Sequence, residues 1–243
     1  MPDQKKQKLY EELALSVELG RPKDTERLLE AAVAEGETAK SLVQKGLIPG
    51  MRKVGADFQD EEADIPRLLC AARAMQKGID VLQPYLEEGE DIHIGKAIIG
   101  TVEGDLHEVG KNLVVIMFRS VGFDVIDLGV DVSDRQFAKA VQDHPDAGIL
   151  CVSSLLTTTM PAVRDVVRKI RSIDRAGRVR IMIGGGSVTE AFAKEVGADA
   201  YTENAVDAAE LARAFVFGNE EEVMNRITGK TMMNKKKRPG DTE

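Results

Sequence analysis

A chain of 243 residues that is 43% apolar and 30% charged has the composition of an ordinary globular protein, with room for one large domain or two smaller ones. A formal net charge of -8 argues against a general nucleic-acid surface, and no apolar run approaches the length of a membrane span. The N-terminal MPDQKKQKLYEELA is a charged helical pattern without the apolar core of a signal peptide, so the cytoplasm is the expected location.

The first 90 residues read as helical throughout. Apolar positions at three- and four-residue spacing predict helices over about 4 to 19, 23 to 35, 37 to 57 and 65 to 86, with breaks at Gly20-Arg21-Pro22, Gly36 and Asp60 to Asp64. Four helices with short connections predict an antiparallel bundle. The acidic run near residues 87 to 95 separates this half from an unlike one, giving domains over 1-90 and 91-217 and a C-terminal tail over 218-243. The KKKR run at 235 to 238 lies in that polar tail and reads as a solvated end. Cys70 and Cys151 sit in apolar patterns, offer neither zinc spacing nor a disulfide framework, and read as buried small hydrophobes.

From residue 96 short apolar runs alternate with helical patterns. The runs are Lys96 to Val102, Asp124 to Leu128, Gly148 to Ser153, Arg180 to Ile183 and Ala198 to Tyr201, and a last helix covers Ala205 to Phe217. Strict alternation predicts a parallel, doubly wound, flavodoxin/Rossmann-like sheet of five strands. The order 2-1-3-4-5 is expected, with the switch point between strands one and three.

Three loops then meet at the carboxyl edge of that sheet, where open α/β sheets bind ligands. After strand one comes Gly104-Asp105-Leu106-His107-Glu108-Val109-Gly110. A carboxylate two residues before a histidine can accept the proton of one ring nitrogen, which orients the ring and leaves the other nitrogen a more basic metal ligand. After strand three comes Ser153-Ser154-Leu155-Leu156-Thr157-Thr158-Thr159, five hydroxyls in seven residues, which also suits turn and N-cap chemistry. After strand four, Gly184-Gly185-Gly186 lets a bulky planar group or a ligand tail approach the backbone closely, or makes an ordinary strand-to-helix turn. A G-x-G-x-x-G fingerprint with its downstream acid and a P-loop lysine are both missing from the right context, which removes support from nucleotide-phosphate binding.

Together, G-D-L-H-E-V-G-K-N, S-S-L-L-T-T-T-M and G-G-G resemble the cobalamin-binding domain shared by corrinoid methyl-carrier proteins and cobalamin-dependent methionine synthase. In that family the motif is D-x-H-x-x-G, then S-x-L, then G-G, and the histidine replaces the cofactor's own base as lower ligand to cobalt. Asp105, His107 and Gly110 match the first motif, Ser153 and Leu155 the second if it begins at Ser153, and Gly184 and Gly185 the third. The resemblance implies cofactor contacts also from Gly104, Leu106, Glu108, Thr157 and Ala205, and a relay hydroxyl on Thr159 where the methionine synthases carry serine. Gly46 to Phe58 and Ile65 to Leu69 resemble the family's helical cap, in which Phe58 and Ile65 match positions that shield the reactive methyl group. Those two positions also suit plain bundle core.

What the resemblance implies is a protein that carries a methyl group on bound cobalamin, methylcobalamin or a related corrinoid, cycling between Co(I) and methyl-Co(III). A substrate-specific methyltransferase would load the group, a second methyltransferase would deliver it to coenzyme M or tetrahydrofolate, and a reductive activation protein would restore oxidised cobalt. Such a carrier is a subunit of a methyltransferase system, with no substrate-activating modules of its own expected in 243 residues. A cobalamin-sensing regulator is the alternative, although its DNA-binding helix-turn-helix is not found. A flavodoxin-like module for another cofactor is the blandest possibility.

Overall fold

A computed structural model describes residues 2–59, 64–86 and 93–227. Its N-terminal layer is built from α1 (Pro2–Glu18), α2 (Pro22–Ala34), the short α3 (Ala39–Leu42), α4 (Ile48–Gln59) and α5 (Ile65–Leu82). Proline at or next to the first position opens α2 and α5, where its missing N–H costs nothing, and the Asp64 carboxylate caps α5 by accepting the Arg67 amide at 2.9 Å.

The single helix expected over 37 to 57 is instead α3 and α4 joined by a π-helical stretch, Val43–Leu47. Pro49 explains the irregularity. It has no N–H to offer the Lys45 carbonyl, and its ring crowds that carbonyl, so the turn before it widens. One residue on, a Cβ at Gly50 would fall 2.2 Å from the Ala14 carbonyl oxygen. Glycine there lets the backbones of α1 and α4 touch.

The second half alternates β1 (Gly95–Thr101), α6 (Val109–Ser120), β2 (Phe123–Asp127), α7 (Asp134–Asp143), β3 (Ala147–Ser153), α8 (Met160–Ile173), β4 (Arg180–Gly184), α9 (Glu190–Val196), β5 (Ala200–Thr202) and α10 (Ala205–Phe217). All four pairings are parallel, and the order is β2-β1-β3-β4-β5, as the alternation predicted. The direction in which successive strands are added therefore reverses between β1 and β3, and the loops after those strands diverge to leave a crevice. The boundary expected near 87 to 95 falls largely on residues outside those described. So do the break over 60 to 63 and the KKKR run. Helical structure continues past α10 over 220–227, with Ile227 buried and Val223 and Met224 packed on the core.

Two cores hold the molecule. Ile98, Leu150, Ile181, Phe137 and Val167 make the one under α7, α8 and α9. The other runs without a break from the bundle, through Leu13, Leu29, Met51, Val54 and Met75, into Met117, Phe118, Val206 and Leu211 on the opposite face of the sheet. At Gly55 the α4 backbone comes close to the sheet domain, and a Cβ there would lie 3.5 Å from the Val206 side chain and 3.7 Å from Met117. The helical layer is thus seated on α6 mainly through α5 and on α10 through α4. Among the described residues no helix is long and apolar enough to cross a membrane.

Candidate cofactor site

The loop between β1 and α6 is fixed by its own polar groups. Gly104 takes a left-handed φ of 81° and donates its amide to the Asp131 carboxylate at 2.7 Å. Asp131, itself left-handed, returns its own amide to the Asp105 carbonyl at 3.1 Å. The Thr101 hydroxyl, fully buried, reaches the His107 carbonyl at 3.1 Å. Turn, strand end and loop therefore hold Asp105 and His107 before any ligand is present.

Asp105 is completely buried, a placement that an ionised carboxylate tolerates only with every oxygen engaged. Its Oδ1 accepts the His107 amide at 3.0 Å and faces the His107 ring Nδ1 at 2.7 Å. Its Oδ2 accepts the Leu155 amide at 2.6 Å and the Leu156 amide at 3.4 Å. Burial alone would push this carboxyl up, but the Leu155 and His107 amides and the His107 ring outweigh it and hold its pKa below the usual carboxylate value. An ionised Asp105 fixes the His107 proton on Nδ1. Nε2 is left with a lone pair and, among the described residues, no hydrogen-bond partner, on a side chain that is 53% exposed.

The resemblance places a relay hydroxyl on Thr159, and here the structure differs. Thr159 Oγ1 pairs with Ser154 Oγ at 2.8 Å and donates to the Leu156 carbonyl at 2.9 Å, without reaching Asp105 or His107. The backbone amides of Leu155 and Leu156 occupy the carboxylate's outer lone pairs, and the buried Ser154–Thr159 pair braces the turn that aims them.

The loops after β3 and β4 lock together. Gly185, at φ 116°, lies so close that a Cβ would meet the Ser154 carbonyl oxygen at 2.1 Å, while the Ser154 amide donates to the Gly184 carbonyl at 3.0 Å. Beside them a cleft of about 300 Å³ opens, and Phe58, Gly110, Ser153, Gly184, Gly185 and Ala205 all line it. Cys151 lies in its floor, and burial pushes that thiol far up, so it remains a neutral small hydrophobe. His107 and Glu108 stand on the loop leading to Gly110, while Leu106 and Val109 are 72% and 81% exposed, and Leu155 and Thr157 are exposed on the neighbouring loop. Ile65, at the start of α5, is half exposed and does not line the cleft. Among the described residues, no group of three or more His, Cys, Asp or Glu side chains could hold a metal ion. A cobalt ion here would need its remaining ligands from its own macrocycle.

Lys111 was not singled out by sequence reasoning. Only 2% of its side chain is exposed, at the cleft's edge, and its ammonium pairs with Asp127 at the end of β2 at 2.6 Å. The one signal in the sequence was its place in the first turn of α6, where the helix dipole disfavours a cation.

A buried carboxylate orienting an imidazole at the switch point of a flavodoxin-like sheet, under a helical layer, defines a module that binds a large metal-bearing cofactor. A family model described as a B12 binding domain matches residues 95–210, and a second B12 binding domain model matches residues 9–83. Dimethylamine corrinoid protein 3 of Methanosarcina acetivorans is 38% identical over 190 residues, covering 77% of this chain and 89% of that protein. Among solved structures, the methanol:cobalamin methyltransferase complex MtaBC of Methanosarcina barkeri matches with a TM-score of 0.78 at 27% identity, covering 90% of this chain and 84% of that one. A cobalamin-binding protein of Desulfitobacterium hafniense matches with a TM-score of 0.70 at 29% identity, covering 83% of this chain and 95% of that one. The chain belongs to the B12-binding corrinoid proteins, and its cofactor is cobalamin or a related corrinoid.

Proposed function

We propose that this chain carries a methyl group on its corrinoid in the cytoplasm, receiving it from a substrate-specific methyltransferase. On this reading a second methyltransferase delivers the group to coenzyme M or tetrahydrofolate, and a reductive activation protein keeps the cofactor in service. The bound corrinoid supplies a cobalt ion that takes up and releases the methyl group. His107 would hold the cobalt through Nε2, and Asp105 holds the ring in the tautomer that leaves that nitrogen free. The apolar side chains of Leu106, Val109 and Leu155 meet the macrocycle. Gly110, Ser153, Gly184, Gly185 and Ala205 line the cleft that takes the cofactor's tail. Phe58, which also lines this cleft, and Ile65 would shield the methyl group.

The single observation that carries this reading is the 2.7 Å contact between His107 Nδ1 and a buried, ionised Asp105, with Nε2 unengaged. Similarity to a methyltransferase complex over most of both chains favours a docking carrier over the sensing regulator. The test is reconstitution with hydroxocobalamin and desalting, followed by the visible spectrum, with His107→Ala in parallel. Retained corrin bands, shifted in the variant, are expected. Identical bands in folded wild type and variant would remove His107 from the cobalt.

A further inference from the structure

A second cleft, of about 370 Å³, lies at the seam between the helical layer and the sheet domain, against the carboxyl-terminal half of α10. Arg52 enters it from α4, Arg213 and Phe217 from α10, and Glu222 and Arg226 from the helical stretch over 220–227. The charges do not cancel. Arg226 pairs with Glu210 at 2.5 Å, and the Glu210 charge also acts on Arg213. Arg213 has no ion pair among the described residues. Its Nε is buried without a hydrogen-bond partner, and its guanidinium lies 5.1 Å over the Phe217 ring. Arg52 likewise has no carboxylate partner among the described residues; burial, with the Arg52 charge, pushes the Arg213 guanidinium down against the opposing pull of Glu210, which still leaves a cation at neutral pH.

Leaving the buried Arg213 Nε unsatisfied is costly, and the cleft's three arginines outnumber its two glutamates, a local excess of one positive charge that, in a chain of net charge -8, calls for an anion. A phosphate group near neutral pH carries between one and two negative charges and several strong acceptor oxygens, which suits two forked donors arriving from different helices. We propose that this cleft binds a phosphate group, held between Arg52 on α4 and Arg213 on α10. Glu222, which lines the same cleft without an ion pair among the described residues, competes for those guanidiniums when phosphate is absent. The bound group would stitch α4 of the helical layer to α10.

The test is isothermal titration of the full chain with inorganic phosphate, with O-phosphoserine and acetate as further arms at matched ionic strength. Saturable binding is expected for wild type, about tenfold weaker in both Arg52→Gln and Arg213→Gln, and tighter in Glu222→Gln. Phosphate should also raise the wild-type thermal midpoint by mass action, and that of Arg52→Gln less. Binding of inorganic phosphate alone would identify a free ion, and equal or tighter binding of O-phosphoserine an esterified group. Equal binding of acetate would overturn the choice of phosphate. No saturable heat in wild type, or unchanged affinity in Arg52→Gln and Glu222→Gln, would overturn the site. These two exposed positions carry the test should Arg213→Gln fail to fold. None of these readouts involves corrin.

Discussion

Asp105 and Leu155 are fifty positions apart, yet the carboxylate of one accepts the backbone amide of the other at 2.6 Å. The bond ties the loop after β1 to the loop after β3 across the switch point, so the group that orients His107 also sets the crevice width. Asp105→Asn keeps the shape but sets an amide where four donors converge. We expect a loss of about 3 kcal/mol in urea unfolding, the cost of leaving buried donors unmatched to a charge. The corrin spectrum should shift as well. An unchanged midpoint would show that the Leu155 bond does not support the fold.

The same carboxylate gives a pH dependence. Its folded pKa is below its unfolded one, so its contribution to stability is fully present above about pH 5 and lost as pH falls through the unfolded value near 3.9 toward the folded one. Wild type should therefore lose stability between about pH 5 and pH 3 more steeply than Asp105→Asn. Parallel curves for the two proteins would contradict this assignment.

The Lys111–Asp127 pair is asymmetric, because the ammonium is buried while 30% of the Asp127 side chain is exposed. Removing the carboxylate strands a buried charge, and Asp127→Ala should cost about 3 to 5 kcal/mol. Lys111→Met removes the charge with little change in volume, and the carboxylate left behind can turn to water, so about 1 kcal/mol is expected. The reverse ranking in chemical denaturation would show that the lysine is not held by this pair.

Two glycines separate folding from binding. A Cβ at Gly185 meets the Ser154 carbonyl, and its φ of 116° is one that side chains rarely adopt, so Gly185→Ala should cost roughly 3 kcal/mol. A Cβ at Gly110 meets nothing within 4 Å and sits in a helix that favours alanine, so stability should rise by up to about 1 kcal/mol. Because Gly110 lines the cleft, Gly110→Ala should at the same time weaken corrin retention. Full retention by that variant would move the cofactor's tail elsewhere.

Ile65 is half exposed, so Ile65→Ala should leave the unfolding midpoint within about 0.5 kcal/mol of wild type. If it shields the cofactor, the reduced, reconstituted variant should oxidise faster in air than wild type. Equal oxidation rates would return Ile65 to a surface role.

The strand order was legible because strands buried on both faces make continuous apolar runs, such as Ala97 to Ile99, that alternate with helical spacing. The π-helical stretch before Pro49 was not, since a widened turn leaves apolar spacing nearly intact and shows only in hydrogen bonding. The pairing of Asp105 with His107 could be read from their two-residue spacing. The partners on the far side of that carboxylate could not, because backbone amides belong to every residue and only the fold selects Leu155 and Leu156. Thr159 shows the same limit: a hydroxyl at the expected place in the motif spends itself on Ser154 and a carbonyl.

Because bundle and sheet share one unbroken apolar interior, the helical layer cannot lift away like a lid without wetting Val54, Met117 and Val206, at about 1.5 to 3 kcal/mol for each side chain fully uncovered. A shift of that layer is then cheapest as a slide of α5 over α6 and of α4 over α10, in which the greasy contacts are exchanged rather than broken. A protein that binds the slid arrangement more tightly than the resting one would supply the work of that exchange through its differential affinity.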